Sequence, residues 1–187
     1  MADVSLVEMV VESVRVHMLS SRHVVILKET DRDRYLPIWI GQWEASAIAM
    51  KLQGLTPERP LTHDLFASAL EALGARVDRV IVVEMMEETY HATLVLAVGE
   101  RTIDVDARPS DALALAVRTG ARIFATVELM DQAGLGEGSP GLTDDGSDSD
   151  QPLETLTGGI VDPRLDMFRD FVNSLDTDQG GGEGRAS

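Results

Sequence analysis

The chain has 187 residues, no cysteine, and 32 acidic against 16 basic side chains, a formal charge of −16. That length holds one ordinary domain with an appendage and a core that needs no disulfides, while the charge argues against a broad basic groove for duplex DNA. The start lacks a signal segment, and no window approaches ~18 uninterrupted apolar residues, so a soluble cytoplasmic protein without membrane attachment is expected.

Taken in order, 10–18, 23–29 and 35–40 show alternating or continuous β-type patterns and read as strands. ETDRDR, 29–34, is a polar turn between the second and third. A helix over 44–53 follows, with Ala45, Ile48, Ala49 and Leu52 on one face and Gly54 as its stop. Next comes a helix over 62–73, capped by Thr62, with Phe66, Ala69, Leu70 and Leu73 expected inward and Gly74 ending it. Strands at 79–85, 91–98 and 102–107 lead into a helix over 111–119 stopped by Gly120, then a short strand at 122–126 and a last helical turn at 127–133.

Residues 1–133 therefore form the ordered domain. Residues 134–160 are Gly-, Ser- and Asp-rich and read as a flexible acidic linker. Residues 161–176 carry Leu165, Phe168, Phe171, Val172 and Leu175 at helical spacing, an amphipathic helix that either docks on its own domain or binds a protein partner. Residues 177–187 are a Gly-rich disordered tail. The acidity is concentrated here: 131–187 holds 13 acids against 3 arginines.

The domain contains a repeat. Displaced by 67 residues, 10–53 lies on 77–120 without a gap, placing Leu27 on Leu94, Arg34 on Arg101 and Glu44-Ala45 on Asp111-Ala112. Each copy reads as strand, strand, strand, helix. The expected fold is α+β: a duplicated β-β-β-α unit forming a mostly antiparallel, curved sheet with helices packed against it.

The chemistry-bearing stretch is DVDARPSD, 104–111. Strand alternation sends Ile103, Val105 and Ala107 to the core and Asp104, Asp106 and Arg108 to the other face, each about 6–7 Å from the next. Two carboxylates and an arginine can hold a hard divalent cation and a phosphate; they can equally be a solvated face with an Asp–Arg pair. The matching face of the first copy is Pro37, Trp39 and Gly41, without charge. Ser110 reads as the helix N-cap and Asp111 as a first-turn acid, at a helix N-terminus that can also bind an anion. RPLTHD, 59–64, is a second Arg-Pro helix start, with His63 set between Arg59 and Asp64. Imidazole there can serve as a general base, a metal ligand or an exposed residue. His17, His23 and His91 fall in strand patterns and are assigned no chemistry. Trp39 and Trp43 can stack bases or pack, and packing is expected for at least one. For Glu44, capping of its helix is a sufficient role.

LPIWIGQWEASAI, RPLTHDL and DARPSDALALAVR, in this order and spacing, resemble the bifunctional nuclease (BFN) domain family. The resemblance covers roughly 4–131. It implies a compact α+β domain with a duplicated β-rich unit, often self-associating as a homodimer, and nuclease activity on DNA and RNA as assigned to plant members. The motif positions are Arg59, Thr62, His63, Asp64, Asp106, Arg108, Ser110 and Asp111. Some members carry a UvrB/UvrC-type C-terminal motif; 161–175 does not match it, and no tie to excision repair is carried over.

Two functions stand open. One is a metal-assisted phosphodiesterase acting on DNA or RNA. Asp106, with Asp104 or Asp111, would bind Mg²⁺ or Mn²⁺, Arg59, Arg108 and Ser110 would hold phosphate, and His63 with Asp64 beside it would move the proton. The other is a non-catalytic regulatory module whose Arg-Pro helix starts bind an anion or a protein partner.

Overall fold

A computed structural model describes residues 5–17, 22–87 and 89–136. The linker beyond 136, the amphipathic segment and the tail lie outside the described residues. Three strands, β1 (Leu6–His17), β2 (Arg22–Glu29) and β3 (Arg34–Ile40), lead into α1 (Gln42–Leu52). After α2 (Thr62–Ala72) the pattern returns as β4 (Ala75–Met86), β5 (Thr89–Val98), β6 (Arg101–Ala107) and α3 (Pro109–Thr119). The domain closes with β7 (Arg122–Thr126), α4 (Val127–Ala133) and the two-residue β8 (Leu135–Gly136), which pairs with Arg34 and Tyr35 at the first residues of the expected linker.

All eight strands form one sheet in the order β6-β5-β4-β7-β1-β2-β3-β8. Each copy is an antiparallel meander. β7 sits between them, antiparallel to β1 and parallel to β4. The two copies therefore run in opposite directions across it. The fold is α+β and mostly antiparallel, as the duplication implied. No helix among the described residues is long and apolar enough to cross a membrane.

The displacement of 67 holds for the third strand and the helix of each copy: β3 maps onto β6 and α1 onto α3 end to end. It fails in the second strand. Val25 pairs with Ile38, and the counterpart of Ile38, Val105, pairs with Leu94. Leu94 is thus the counterpart of Val25, not of Leu27. The cause is turn length. Residues 30–33 join β2 to β3, whereas Gly99 and Glu100 alone join β5 to β6, with Gly99 at φ 60° as a two-residue hairpin turn demands. A β-bulge recurs at the equivalent place in both first strands, between Val11 and Ser13 and between Val77 and Arg79. Its conservation across the copies marks it as part of the unit's curvature.

The core lies between the sheet and the helices. Val14, Val25 and Ile38 line it from one copy, Val80, Val82 and Leu94 from the other, and Ala45, Ile48, Ala112, Leu113 and Ala116 close it from α1 and α3. The small alanine faces let the two helices approach the sheet and each other.

Three expectations change. Ile103 and Val105 are exposed, although their counterparts Leu36 and Ile38 are buried. Among the described residues β6 is the last strand of the sheet. On α2, Phe66 and Leu73 are exposed, together with Leu65. The half-buried residues are His63, Asp64, Ala67 and Leu70, a single face at i, i+4, i+7 spacing. The helix is turned so that its polar anchors, rather than Phe66, meet α3. Finally, Trp39 and Trp43 are 46% and 74% exposed, so neither belongs to the core.

Candidate functional site

α3 starts at Pro109, because the ring fixes φ near the helical value and its missing N–H is no loss in the first turn. Arg108, not Ser110, is the N-cap residue, and it makes no side-chain capping bond. Similarly, α2 is capped at Leu61 rather than Thr62, and Asp64 reaches back to accept the Leu61 N–H at 3.0 Å. Glu44 and Asp111 are third in their helices, α1 and α3, the equivalent position in each copy.

These helix starts converge on one charged chain. Arg108 donates from Nε to Asp111 Oδ2 at 2.7 Å and from a terminal nitrogen to Glu44 Oε1 at 2.9 Å. His63 Nε2 lies 3.1 Å from the other Asp111 oxygen, Oδ1. The network thus joins α1, α2 and α3, and so both copies and the helix between them. Behind it, Arg118 is 6% exposed in its side chain and donates to Asp64 Oδ1 at 2.8 Å and to the Ala114 carbonyl at 2.9 Å. Gly41 leaves the room that Glu44 occupies: a Cβ there would collide with Glu44 Oε2.

Desolvation is the largest influence on Asp111 and works to raise its pKa, but the hydrogen bonds from Arg108 and His63 and the arginine's charge together hold the carboxyl below the ordinary aspartate value. Asp64 behaves alike: burial raises, the Leu61 N–H and Arg118 lower, and the net shift is down. Arg108 is pushed up, first by its bond to Asp111. With Asp111 ionised, both its oxygens can only accept. His63 Nε2 must then carry the proton, which leaves Nδ1 to take one. A His–Asp pair with a fixed tautomer is the arrangement that general acid–base chemistry uses.

Of the residues singled out from sequence, the structure brings together His63, Arg108 and Asp111, with Asp64 one layer behind. Ser110 is 6% exposed at the start of α3. Arg59 is exposed in the segment before α2 and makes no ion pair among the described residues. Asp104 and Asp106 lie exposed on β6, opposite Val95 and Thr93, with no partner among the described residues. Arg108 does not join them; it turns to Glu44 and Asp111. Among the described residues no group of three or more His, Cys, Asp or Glu side chains is placed to hold a metal ion. Sequence reasoning missed Glu44 as a member and Arg118 altogether. The repeat carried a signal for Glu44, since it aligns with Asp111.

Residues 25–137 match the bifunctional nuclease domain. The chain belongs to the bifunctional nuclease domain family. Within its reach are an uncharacterized protein of Mycobacterium tuberculosis, 40% identical over 171 residues that span 91% of this chain and 96% of that protein, and Bifunctional nuclease 1 of Oryza sativa subsp. japonica, 32% identical over 100 residues. The latter match covers 51% of this chain and 30% of the rice protein. The bifunctional nuclease domain found in this chain begins within β2 and ends after β8, and so contains the whole charged chain from Glu44 to Arg118.

Proposed function

We propose that the domain hydrolyses phosphodiester bonds of DNA or RNA, with the His63–Asp111–Arg108 chain as its chemical centre. The observation that carries this reading is the Asp111 carboxylate, bound by His63 on one oxygen and Arg108 on the other. Family membership and the name of the rice relatives supply the reaction class. Asp111 orients the imidazole, and His63 Nδ1 takes the proton of the attacking water or returns one to the leaving oxygen. Arg108 meets the charge that develops on phosphate, with Arg59 and Ser110 as further contacts.

Mg²⁺ or Mn²⁺ is the proposed cofactor. Mg²⁺ is commonly held by one or two carboxylates together with substrate phosphate, and Asp104 and Asp106 are the proposed carboxylates. When bound, such an ion would neutralise phosphate charge. The protein is proposed to act in the cytoplasm as a homodimer, for which the exposed Ile103–Val105 edge and the outer face of α2 offer apolar surface.

The test is cleavage of end-labelled single-stranded DNA and RNA by the purified full chain, with Mg²⁺, Mn²⁺ or EDTA, beside His63→Ala. Loss of cleavage in EDTA and in the variant is expected. A wild-type chain that cuts neither polymer under any divalent ion sinks the proposal.

A second reading is favoured by one observation: Arg108 is already held by two carboxylates, Glu44 and Asp111. In that reading the network is a clamp between the copies, and the domain is a non-catalytic module that recruits a protein partner through residues 161–175. Deleting 161–175 would then abolish capture of the partner while leaving the thermal stability of the domain unchanged.

A further inference from the structure

A cleft of about 580 Å³ opens where the two copies meet, between the starts of α1, α3, β2 and β5 and the end of β3. Its volume falls in the ~300–1,000 Å³ range of small-ligand sites. Arg108 lines it, so it adjoins the charged chain. The helix N-termini bring partial positive charge from two 11-residue helices. Two further side chains point to a ligand. His23 is 8% exposed and Ser110 is 6% exposed. Both line the cleft, and neither side chain makes a hydrogen bond among the described residues. Among the described residues Glu29 Oε2 is the one buried side-chain polar atom without a hydrogen-bond partner, so the polar atoms of His23 and Ser110 are not sealed in the protein but reach open space. These two are paired with nothing but what fills the cleft.

The rest of the lining divides between charge and ring surface. Arg108 is committed to Glu44 and Asp111. Arg22 is not: it has no ion pair among the described residues, and its guanidinium stacks 4.4 Å from the centre of the Trp39 ring. Trp39 is half exposed at the rim, and burial pushes the Tyr90 phenol up, keeping it neutral. An arginine that stacks on Trp39 without an ion pair among the described residues, two buried polar side chains and two aromatic rings match a phosphate joined to a planar base. An open concavity of this size takes one such unit and not a duplex.

We infer that this cleft binds a single unstacked nucleotide, with its phosphate at Arg22, His23 and Ser110 and its base against Trp39. The identity of the ligand rests on the phosphodiester reading above. The inference adds a substrate class: single-stranded ends or loops, whose bases can leave the stack, and not paired duplex. It also agrees with a chain of net charge −16, which repels a long polyanion but can grip one nucleotide locally.

Binding is measured in EDTA, so that turnover plays no part, using full-length Trp43→Phe protein in which Trp39 is the remaining tryptophan. Adenosine monophosphate and a short single-stranded oligonucleotide should quench its fluorescence, and a blunt duplex of the same length should not. Arg22→Ala and Ser110→Ala should each weaken adenosine monophosphate binding about tenfold or more, the scale of one lost charge-assisted or buried contact. Circular dichroism confirms that both variants fold, and His23→Gln provides a further variant if either does not. Absence of quenching at millimolar nucleotide, equal binding of duplex, or unchanged affinity in all three variants would each overturn the inference. A protein that binds but never cuts keeps the cleft and loses the nuclease. A protein that cuts yet shows no nucleotide binding here keeps the nuclease and loses the cleft.

Discussion

Glu44 and Asp111, 67 residues apart and at the same position in sister helices, are both bound by the guanidinium of Arg108. The arginine exists in one copy only, where its counterpart is Gly41. The two equivalent positions form a complementary pair: a side chain that reaches across in one copy, and in the other a glycine that leaves space for the carboxylate it reaches.

Gly41→Ala should test that complementarity. The added Cβ would meet the end of a flexible side chain, so Glu44 swings aside at little cost to the fold. Stability should fall by less than ~1 kcal/mol, in keeping with the value of exposed ion pairs. The effect should be non-additive with Glu44→Gln, as a double-mutant cycle by urea unfolding would read. Strict additivity would show that Gly41 serves some other purpose.

Arg118→Met should be costly. The guanidinium is nearly buried and serves both Asp64 and the Ala114 carbonyl. Removing it leaves a partly buried carboxylate unpaired. The expected loss is about 2–3 kcal/mol, toward the low side of the buried-pair range because Asp64 keeps some contact with water. Asp64→Asn should also destabilise, because Arg118 and the Leu61 N–H bond different carboxylate oxygens and an amide keeps only one of them as an acceptor.

Acid should remove the same stabilisation. The folded Asp64 and Asp111 carboxyls titrate below their ordinary values. Their contribution is therefore fully present above the unfolded aspartate pKa, ~3.9. It is lost as pH falls through the lower folded value. Asp64→Asn should be less stable than wild type at neutral pH, and the gap should close below about pH 3–4. A gap that stays constant with pH would show that the carboxylate's charge is not what stabilises.

His63 separates chemistry from scaffold. His63→Ala should reduce cleavage by about 10²–10⁴-fold, the usual worth of a positioned acid or base. Thermal stability should change little, because among the described residues the ring is hydrogen-bonded to Asp111 alone. If His63→Asn retains full activity, proton transfer belongs to another group.

Much of the fold was legible because local rules write it. Apolar alternation marked the strands, Pro109 and Gly120 punctuated α3, and the acids at 44 and 111 marked helix starts. The slip of two residues in β5 was hidden because an ungapped alignment cannot see that one turn is shorter. The facing of α2 was misread for a different reason. Hydrophobicity favours Phe66 and Leu73 inward, but the anchors of His63 and Asp64 on α3 set its rotation.

By itself the sequence determined the duplicated β-β-β-α unit, the class of the sheet and the residues able to do chemistry, because side-chain period and turn chemistry are properties of neighbours along the chain. Only the tertiary structure decided which of those residues meet. His63 and Asp111 are 48 positions apart, and Glu44 and Arg108 are 64 apart. Their contact depends on how two copies and an intervening helix dock. Docking also set Asp104 and Asp106 apart on the edge strand while Arg108 turned along the surface to Glu44 and Asp111, since a side chain at the end of a strand follows the charge it can reach.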